Sequence, residues 1–340
     1  MKQTILLLCL LGAFQLSALA QPQDAKSLHE KAKVFMREGD YPNAVLVLNN
    51  ALQQDPNNLE MGKDLAFTYY LEKDFIRALA VARPLCARTD ADVQSYQILG
   101  MIYKITDERK EAEKLYKEGI RKFPRSGVLY NEYGEILGTK DGTDAIRLWE
   151  KGIEVDPNFS GNYCNACKYY YSKTDYIWSL LYGEIFVNLE SYSKRTTEIK
   201  DLLEDGFKQL FANLEAQKKR NEKNPFITAY LNTVGAESSA VSDGVTARSL
   251  SILRARFVLA WFDKNAAKYP FRLFDYQRQL MQEGMFDAYN QWVFGASEND
   301  QKFEAWTNLH NAEYKRFIEF QGGRVFKLPP SQNYQDLNTK

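Results

Sequence analysis

The pair Cys164 and Cys167, separated by two residues, is the sequence feature with the clearest potential for chemistry. Such a pair can cycle between dithiol and disulfide, or supply half of a zinc site. A zinc site would need further ligands, and His29 and His310 are the only histidines in the sequence. A single Cys-x-x-Cys is a weak signal, and Cys167 also falls where the repeat pattern described below requires a small buried residue. We therefore interpret the pair as structural.

A polar stretch at 235–244 is the strongest candidate loop and a second place where catalysis could reside. It carries hydroxyl and carboxylate groups but no histidine or lysine that could act as a base. No zinc-protease, nucleophile-elbow, phosphate-loop or dinucleotide-binding motif occurs elsewhere. We predict that the chain is not an enzyme, uses no cofactor and binds no metal. The loop residues in question are Glu237, Ser238, Ser239, Ser242 and Asp243.

The composition is that of a globular protein with balanced charge. Of 340 residues, 45% are hydrophobic and 26% are charged, with 44 Lys and Arg balanced by 44 Asp and Glu. A nucleic-acid-binding protein would show an excess of basic residues, because phosphate contacts dominate its affinity. The charge balance therefore argues against a nucleic-acid partner.

The first 20 residues have the three-part pattern of a secretory signal peptide. Lys2 precedes an apolar run at 5–16, which ends in the small-residue site Ala18-Leu19-Ala20. The run has about 12 residues, whereas a membrane span needs roughly 20. We predict cleavage near Ala20 and a periplasmic or secreted protein, with no membrane span in the rest of the chain.

Small residues recur with a period of 34, which indicates a repeat architecture. A second row of small residues keeps the same spacing, and both rows lose one residue in the fourth unit. We predict that each unit folds as two amphipathic helices joined by a turn. The small side chains would allow the helices to approach closely. The two rows are Ala32, Ala66, Gly100, Gly134 and Cys167, and Ala44, Ala78, Ala112, Ala145 and Ser179.

The repeat resembles the tetratricopeptide repeat family, whose unit combines small and aromatic residues with a Gly-Asp-Tyr turn and a closing proline. The first unit matches at Leu28, Ala32, Phe35, Gly39-Asp40-Tyr41, Ala44, Ala51 and Pro56, and the third at Tyr96, Leu99, Gly100, Tyr103, Ala112, Tyr116 and Pro124. The resemblance implies an all-α fold: an α-solenoid of helical hairpins with a helical C-terminal cap.

The predicted organisation has four parts. A signal peptide at 1–20 precedes the repeat array at 21–192. A helical region with degenerate repeat-like units covers 193–321, with long helices predicted over 195–223 and over about 300–321, and a flexible polar tail covers 322–340. Aromatic residues at helical spacing in the C-terminal region are predicted to form its core. The repeat units span about 25–58, 59–92, 93–126, 127–159 and 160–192.

The first helices of stacked hairpins line a groove, in which this family binds peptides. We predict an exported scaffold that holds a peptide segment or a partner subunit of the cell envelope there. Alternatives are a glycan-binding protein, since Tyr and Trp stack on sugars, and an enzyme or redox protein using loop 235–244 or the cysteine pair. The predicted groove residues are Lys63, Phe67, Tyr70, Gln97, Met101, Lys104, Asn131 and Glu135.

Overall fold

The computed structural model describes residues 24–138 and 142–335. The predicted signal peptide and residues 336–340 lie outside this part of the chain. Within it, all regular secondary structure is helical, and consecutive helices pair. The predicted all-α fold of helical hairpins with a helical C-terminal cap is confirmed. The chain divides into two compact units at the boundary between Thr106 and Asp107.

The first unit contains two helical hairpins and one further helix. Contacts join the helices within each hairpin, and the second helix of one hairpin to the first helix of the next. The helices are α1 (Ala25–Glu38), α2 (Tyr41–Gln54), α3 (Leu59–Leu71), α4 (Phe75–Cys86) and α5 (Val93–Ile105).

Capping residues set where the first helices of these hairpins begin. Asp24, Asn58 and Asp92 are 34 residues apart, and the side chain of each accepts a bond from the backbone N–H three residues later. Such caps satisfy one of the free N–H groups at the start of a helix. The 34-residue period therefore fixes helix starts as well as buried contacts.

The second unit begins with five helices, α6 (Arg109–Lys122), α7 (Gly127–Leu137), α8 (Thr143–Val155), α9 (Ser160–Ser172) and α10 (Tyr176–Leu189). They include two further hairpins, α7 with α8 and α9 with α10. Gly134 shows why this position must be small: a Cβ atom there would lie 2.3 Å from Nε1 of Trp149. Both predicted rows of small residues, from Ala32 to Cys167 and from Ala44 to Ser179, are buried.

Helices after α10 form the C-terminal region of the second unit. They are α11 (Lys194–Ala212), α12 (Leu214–Arg220), α13 (Pro225–Ala236), α14 (Ala247–Lys264), α15 (Arg272–Gln282), α16 (Phe286–Asn290), α17 (Ala296–Glu298), α18 (Asp300–Leu309) and α19 (Asn311–Gly322). A π-helical turn at Gln291–Gly295 joins α16 to α17. Phe226, Trp261 and Phe274 pack at 5.7 Å and 5.0 Å between successive ring centroids, so these aromatic side chains form core as predicted.

Three local predictions in this region need correction. A helix predicted over 195–223 is broken at Asn213, whose amide bonds to the carbonyl of Gln209. A helix predicted over 300–321 is broken at His310, whose ring nitrogen bonds to the carbonyl of Trp306. The predicted loop 235–244 contains the end of α13 and a 3-10 turn at Ser238–Val241.

The tail after α19 also differs from the prediction of a flexible segment. Phe326 and Leu328 are buried, and Tyr334 stacks on Phe226. The apolar side chains in an otherwise polar stretch explain the difference, because each of them loses solvent contact on the surface of the second unit.

Candidate functional site

The predicted groove residues of the first unit lie on α3 and α5. Lys63, Phe67 and Tyr70 are spaced by four and three residues, so they share one face of α3. Gln97, Met101 and Lys104 repeat that spacing on α5. The two helices contact each other, so these faces are neighbours.

Lys63 is not the exposed groove cation that the sequence predicts. Its side chain is 2% exposed, and its ammonium lies 2.5 Å from Oδ2 of Asp92 and 2.7 Å from Oε1 of Glu60. Burial opposes the charge, but the hydrogen bonds to Asp92 and Glu60 outweigh it and raise the pKa of Lys63. This lysine links α3 to the cap of α5. Its role is therefore to join neighbouring hairpins.

Phe67 and Tyr70 form a partly exposed aromatic cluster with Phe75. The rings of Phe67 and Tyr70 stack with centroids 6.0 Å apart, and Tyr70 lies 6.0 Å from Phe75. All three side chains retain some solvent contact. A partly exposed aromatic surface is suited to holding apolar side chains of a partner. We call Phe67, Tyr70 and Phe75 the aromatic cluster.

On α5, the three predicted residues differ in exposure. Gln97 and Met101 are half-buried, whereas Lys104 is exposed. Met101 offers a flexible apolar surface, a property used at adaptable binding sites. The first unit therefore presents apolar and polar groups on the faces of neighbouring helices.

The second unit contains Asn131 and Glu135, which the structure places in a network with Asn165. Asn131 is 4% exposed, and its amide donates to Glu135 at 3.0 Å. Asn165 donates to Oδ1 of Asn131 at 2.9 Å. These bonds join α7 to α9, so Asn131 serves packing between hairpins. Asn165 was missed, because the 33-residue step from Gly134 to Cys167 aligns Asn131 with Cys164 and not with Asn165.

The first helices of the second unit repeat this pattern of polar links. Lys168 on α9 pairs with Glu198 on α11 at 2.7 Å, and the hydroxyl of Tyr171 donates to Asp205. In the first unit, His29 on α1 lies 2.7 Å from Asp64 on α3. Many polar side chains on these faces therefore already bond to other residues of the same chain.

The cysteine pair has the environment of a structural site. Cys164 and Cys167 are free thiols and buried. Burial raises the pKa of Cys164 and raises that of Cys167 to about 12. Thiolate is the reactive form of cysteine, so both thiols are poorly suited to redox chemistry at neutral pH. Cys167 packs instead against Ser179, at 3.5 Å.

The other candidate groups also make structural contacts. The hydroxyl of Ser242 donates to the carbonyl of Ser239 within the 235–244 segment. His310 stacks on Trp306 with ring centroids 4.3 Å apart. In residues 24–138 and 142–335, no group of three or more His, Cys, Asp or Glu side chains is arranged to hold a metal ion. Across those same residues, no helix has the length and apolar character to cross a membrane.

Comparison with known proteins identifies the repeat. The tetratricopeptide repeat family model matches residues 93–121. A tetratricopeptide repeat protein of Thermus thermophilus is 18% identical, with a TM-score of 0.43; the match covers 53% of this chain and 98% of that one. A tetratricopeptide repeat protein of Parabacteroides merdae is 14% identical, with a TM-score of 0.44, and the match covers 75% and 97%. No curated protein matches this sequence. The family match over residues 93–121 agrees with the period of 34 and with the paired helices, and these findings support the tetratricopeptide repeat resemblance.

Proposed function

We propose that this protein is a protein-interaction scaffold and that the aromatic cluster on its first unit contacts a peptide segment of the partner. The observation that carries this proposal is the partial exposure of Phe67 and Tyr70 on a face where Lys63 is already bonded within the chain. Apolar contact, rather than capture of a charged group, would then supply most of the affinity.

The surroundings of the cluster support an extended peptide as ligand. Gln97 and Met101 on the neighbouring α5 offer an amide and a flexible thioether. An amide can bond to a peptide backbone, while Phe67, Tyr70 and Met101 contact alternate side chains. We infer that the ligand carries apolar or aromatic side chains and that its charge contributes little.

A peptide-display selection tests this function. The chain is immobilised and panned against a library of random peptides, and the selected peptides are measured against the variant Phe67→Ser/Tyr70→Ser. We expect peptides rich in apolar residues, and a loss of affinity of at least about tenfold in the variant, because hot-spot aromatics typically contribute more than 1 kcal/mol each. Circular dichroism checks that the variant is folded.

Ile76 provides the matched control, because it is an apolar residue of the same unit and is 84% exposed. Ile76→Ser should leave the affinity of the selected peptides unchanged. Selected peptides that bind the aromatic variant as tightly as the unaltered chain would refute the proposed site. Retention on immobilised polysaccharide that is lost in the aromatic variant would instead favour glycan binding.

Export to the cell envelope is part of the same proposal. It is supported by the charged, apolar and small-residue segments that end at Ala20. Mass spectrometry of the protein recovered from cells should find a mature chain that begins at Gln21. A chain that retains residues 1–20 would contradict export by this route.

A further inference from the structure

The segment that follows α19 returns across the second unit without regular secondary structure. Residues 326–335 contain a Leu-Pro-Pro sequence and, six residues after the leucine, Tyr334. Phe326 and Leu328 are buried, although Val325 beside them is 79% exposed. We call residues 326–335 the tail segment.

Asn158 holds the tail segment by its main chain. Its side-chain amide donates to the carbonyl of Leu328 at 3.2 Å and accepts from the N–H of the same residue at 2.9 Å. Asn158 lies in the turn Asp156-Pro157-Asn158 between two hairpins. A paired bond of this kind recognises an extended backbone whatever the side chain, as peptide-binding sites do.

A second anchor holds the other end of the tail segment. Asn224 donates to the carbonyl of Tyr334 at 3.0 Å, and the Tyr334 ring stacks on Phe226 with centroids 4.3 Å apart. The hydroxyl of Tyr334 donates to the carbonyl of Pro270 at 2.6 Å. Two amide contacts to the backbone and one aromatic pocket therefore define the site.

The tail segment fits this site imperfectly between the two anchors. Ser331 has a φ of 72°, in the left-handed region that favours glycine. The side-chain nitrogen of Asn333 is buried, with no hydrogen-bond partner among the described residues. A cleft of about 430 Å³ also remains between the segment and the surface formed by Ile153, Pro157 and Tyr163.

The attachment to α19 compensates for the imperfect fit. α19 ends at Gly322, so three residues separate it from the tail segment. A short flexible tether keeps a segment at an effective concentration on the order of millimolar. A weak ligand can therefore occupy the site within the chain, while a better ligand on another protein can displace it.

We propose that the surface around Asn158, Asn224 and Phe226 is a peptide-binding site, and that the tail segment is its built-in, displaceable ligand. The partner is another protein that presents an extended Leu-Pro-Pro segment with an aromatic residue six positions after the leucine. That partner has glycine in place of Ser331 and an apolar residue in place of Asn333. A second copy of this chain is a poorer partner, because its tail has the same two mismatches without the tether.

Two synthetic peptides test the proposal on the full chain. One has the sequence of residues 324–335, and the other carries Ser331→Gly and Asn333→Leu. Fluorescence anisotropy measures their binding, and hydrogen exchange of the tail segment reports its displacement. We expect the altered peptide to bind at least about tenfold more tightly than the unaltered one, because it removes a strained residue and an unpaired buried amide. It should also speed exchange at residues 326–335.

A tail-loosened chain, Leu328→Ser/Tyr334→Ser, removes competition from the tail segment. Both peptides should bind the tail-loosened chain at least about tenfold more tightly than they bind the unaltered chain. Adding Asn158→Ala to this background should weaken binding by about tenfold or more, because two backbone bonds are lost. Asn57→Ala is the matched control, since Asn57 occupies the same place in the exposed turn Asp55-Pro56-Asn57 and should have no effect.

Three results would overturn the proposal. The first is that the altered peptide neither binds the unaltered chain saturably nor speeds exchange of its tail segment. The second is that Asn158→Ala leaves peptide binding to the tail-loosened chain unchanged. The third is sedimentation showing that the chain dimerises by exchanging tails. The occupant of the site would then be the tail of a second copy and not a segment of another protein. The first readout needs no substitution in the protein, so it decides the matter even where a variant fails to fold.

Discussion

Lys200 is a partly exposed lysine on α11 whose ammonium lies 3.6 Å from the centroid of the Trp292 ring. Burial lowers the pKa of Lys200 to about 7, whereas in an unfolded chain it is about 10.4. Between these values the unfolded chain binds more protons than the folded one, so this lysine makes stability rise with pH from about 7 to about 10.

The variant Lys200→Met should therefore be more stable than the unaltered chain at pH 6, by roughly 1 to 2 kcal/mol. The gain is smaller than full burial of the charge would give, because the side chain is partly exposed and the ring contact favours the charge. The difference should shrink as pH rises towards 10. Urea unfolding across this pH range measures it, with exposed Lys219→Met as control. A pH-independent difference, or a less stable variant at pH 6, would show that the ring contact outweighs burial.

Single residues also show which contacts the sequence could not predict. Spacing places Lys63 on one face of α3 with Phe67 and Tyr70, but it could not show that Asp92, 29 residues away, would bond to Lys63 and bury it. The role of Asn131 was hidden for the same reason, since its partner Asn165 comes from the next hairpin. Predicting which side chains pair across hairpins requires the three-dimensional arrangement of the helices. The residues that share one helix face can be predicted from their spacing alone.

At the scale of elements, the turns that follow α1, α3, α5 and α9 each have one residue with positive φ. Gly39, Lys73, Asp107 and Thr174 occupy these positions, at φ values of 77°, 64°, 57° and 58°. Glycine adopts this conformation readily, whereas other residues lose roughly 1 kcal/mol. Gly39 therefore adopts the turn conformation of the first hairpin at no such cost, whereas Lys73 bears this cost in the second hairpin.

Replacing Lys73 by glycine should relieve this strain. We expect the variant Lys73→Gly to be more stable by up to about 1 kcal/mol, less a few tenths for the added freedom of the unfolded chain. Chemical denaturation measures the change. Gly39→Lys is the converse substitution and should destabilise by a similar amount. Equal stability of both variants and the unaltered chain would show that these turns carry no strain.

The contact between α7 and α8 gives a second test at this scale. A methyl group at Gly134 would overlap the Trp149 indole, which donates to the carbonyl of Asn131 at 3.3 Å. We expect Gly134→Ala to destabilise by roughly 2 to 3 kcal/mol, since overpacking forces a buried ring to move. In Gly322→Ala no atom lies within 4 Å of the added methyl, so this control should be neutral or slightly stabilising. Urea unfolding distinguishes these outcomes, and a stable Gly134→Ala would mean that the two helices separate freely.

The helices of the repeat were predictable because the period of 34, the capping residues and the small residues at close contacts all indicate the same helix positions. The C-terminal elements were less so: Asn213 and His310 break predicted helices through bonds of their own side chains to helix carbonyls. The tail was predicted least well, because its order depends on Asn158 and Phe226, which lie more than 100 residues earlier.

At the scale of the whole second unit, a buried ion pair connects the last hairpin to the C-terminal helices. Glu184 on α10 pairs with Arg254 on α14, and both side chains are less than 10% exposed. Gln277 on α15 and Tyr289 on α16 each donate to the same oxygen of Glu184 at 2.7 Å. Asn290 accepts from Arg254. The carboxylate thus joins four helices that no single repeat contains.

Removing Arg254 should weaken the second unit as a whole, because it leaves a buried carboxylate without its counter-ion. We expect Arg254→Met to destabilise by about 3 to 5 kcal/mol, and the double variant Arg254→Met/Glu184→Gln by less, since no charge then remains unpaired. Exposed Arg256→Met on the same helix is the control. Urea unfolding followed at the C-terminal aromatic core gives the three values. A double variant that is less stable than Arg254→Met would show that the four helices depend on Glu184 as a hydrogen-bond acceptor more than on the charge pair.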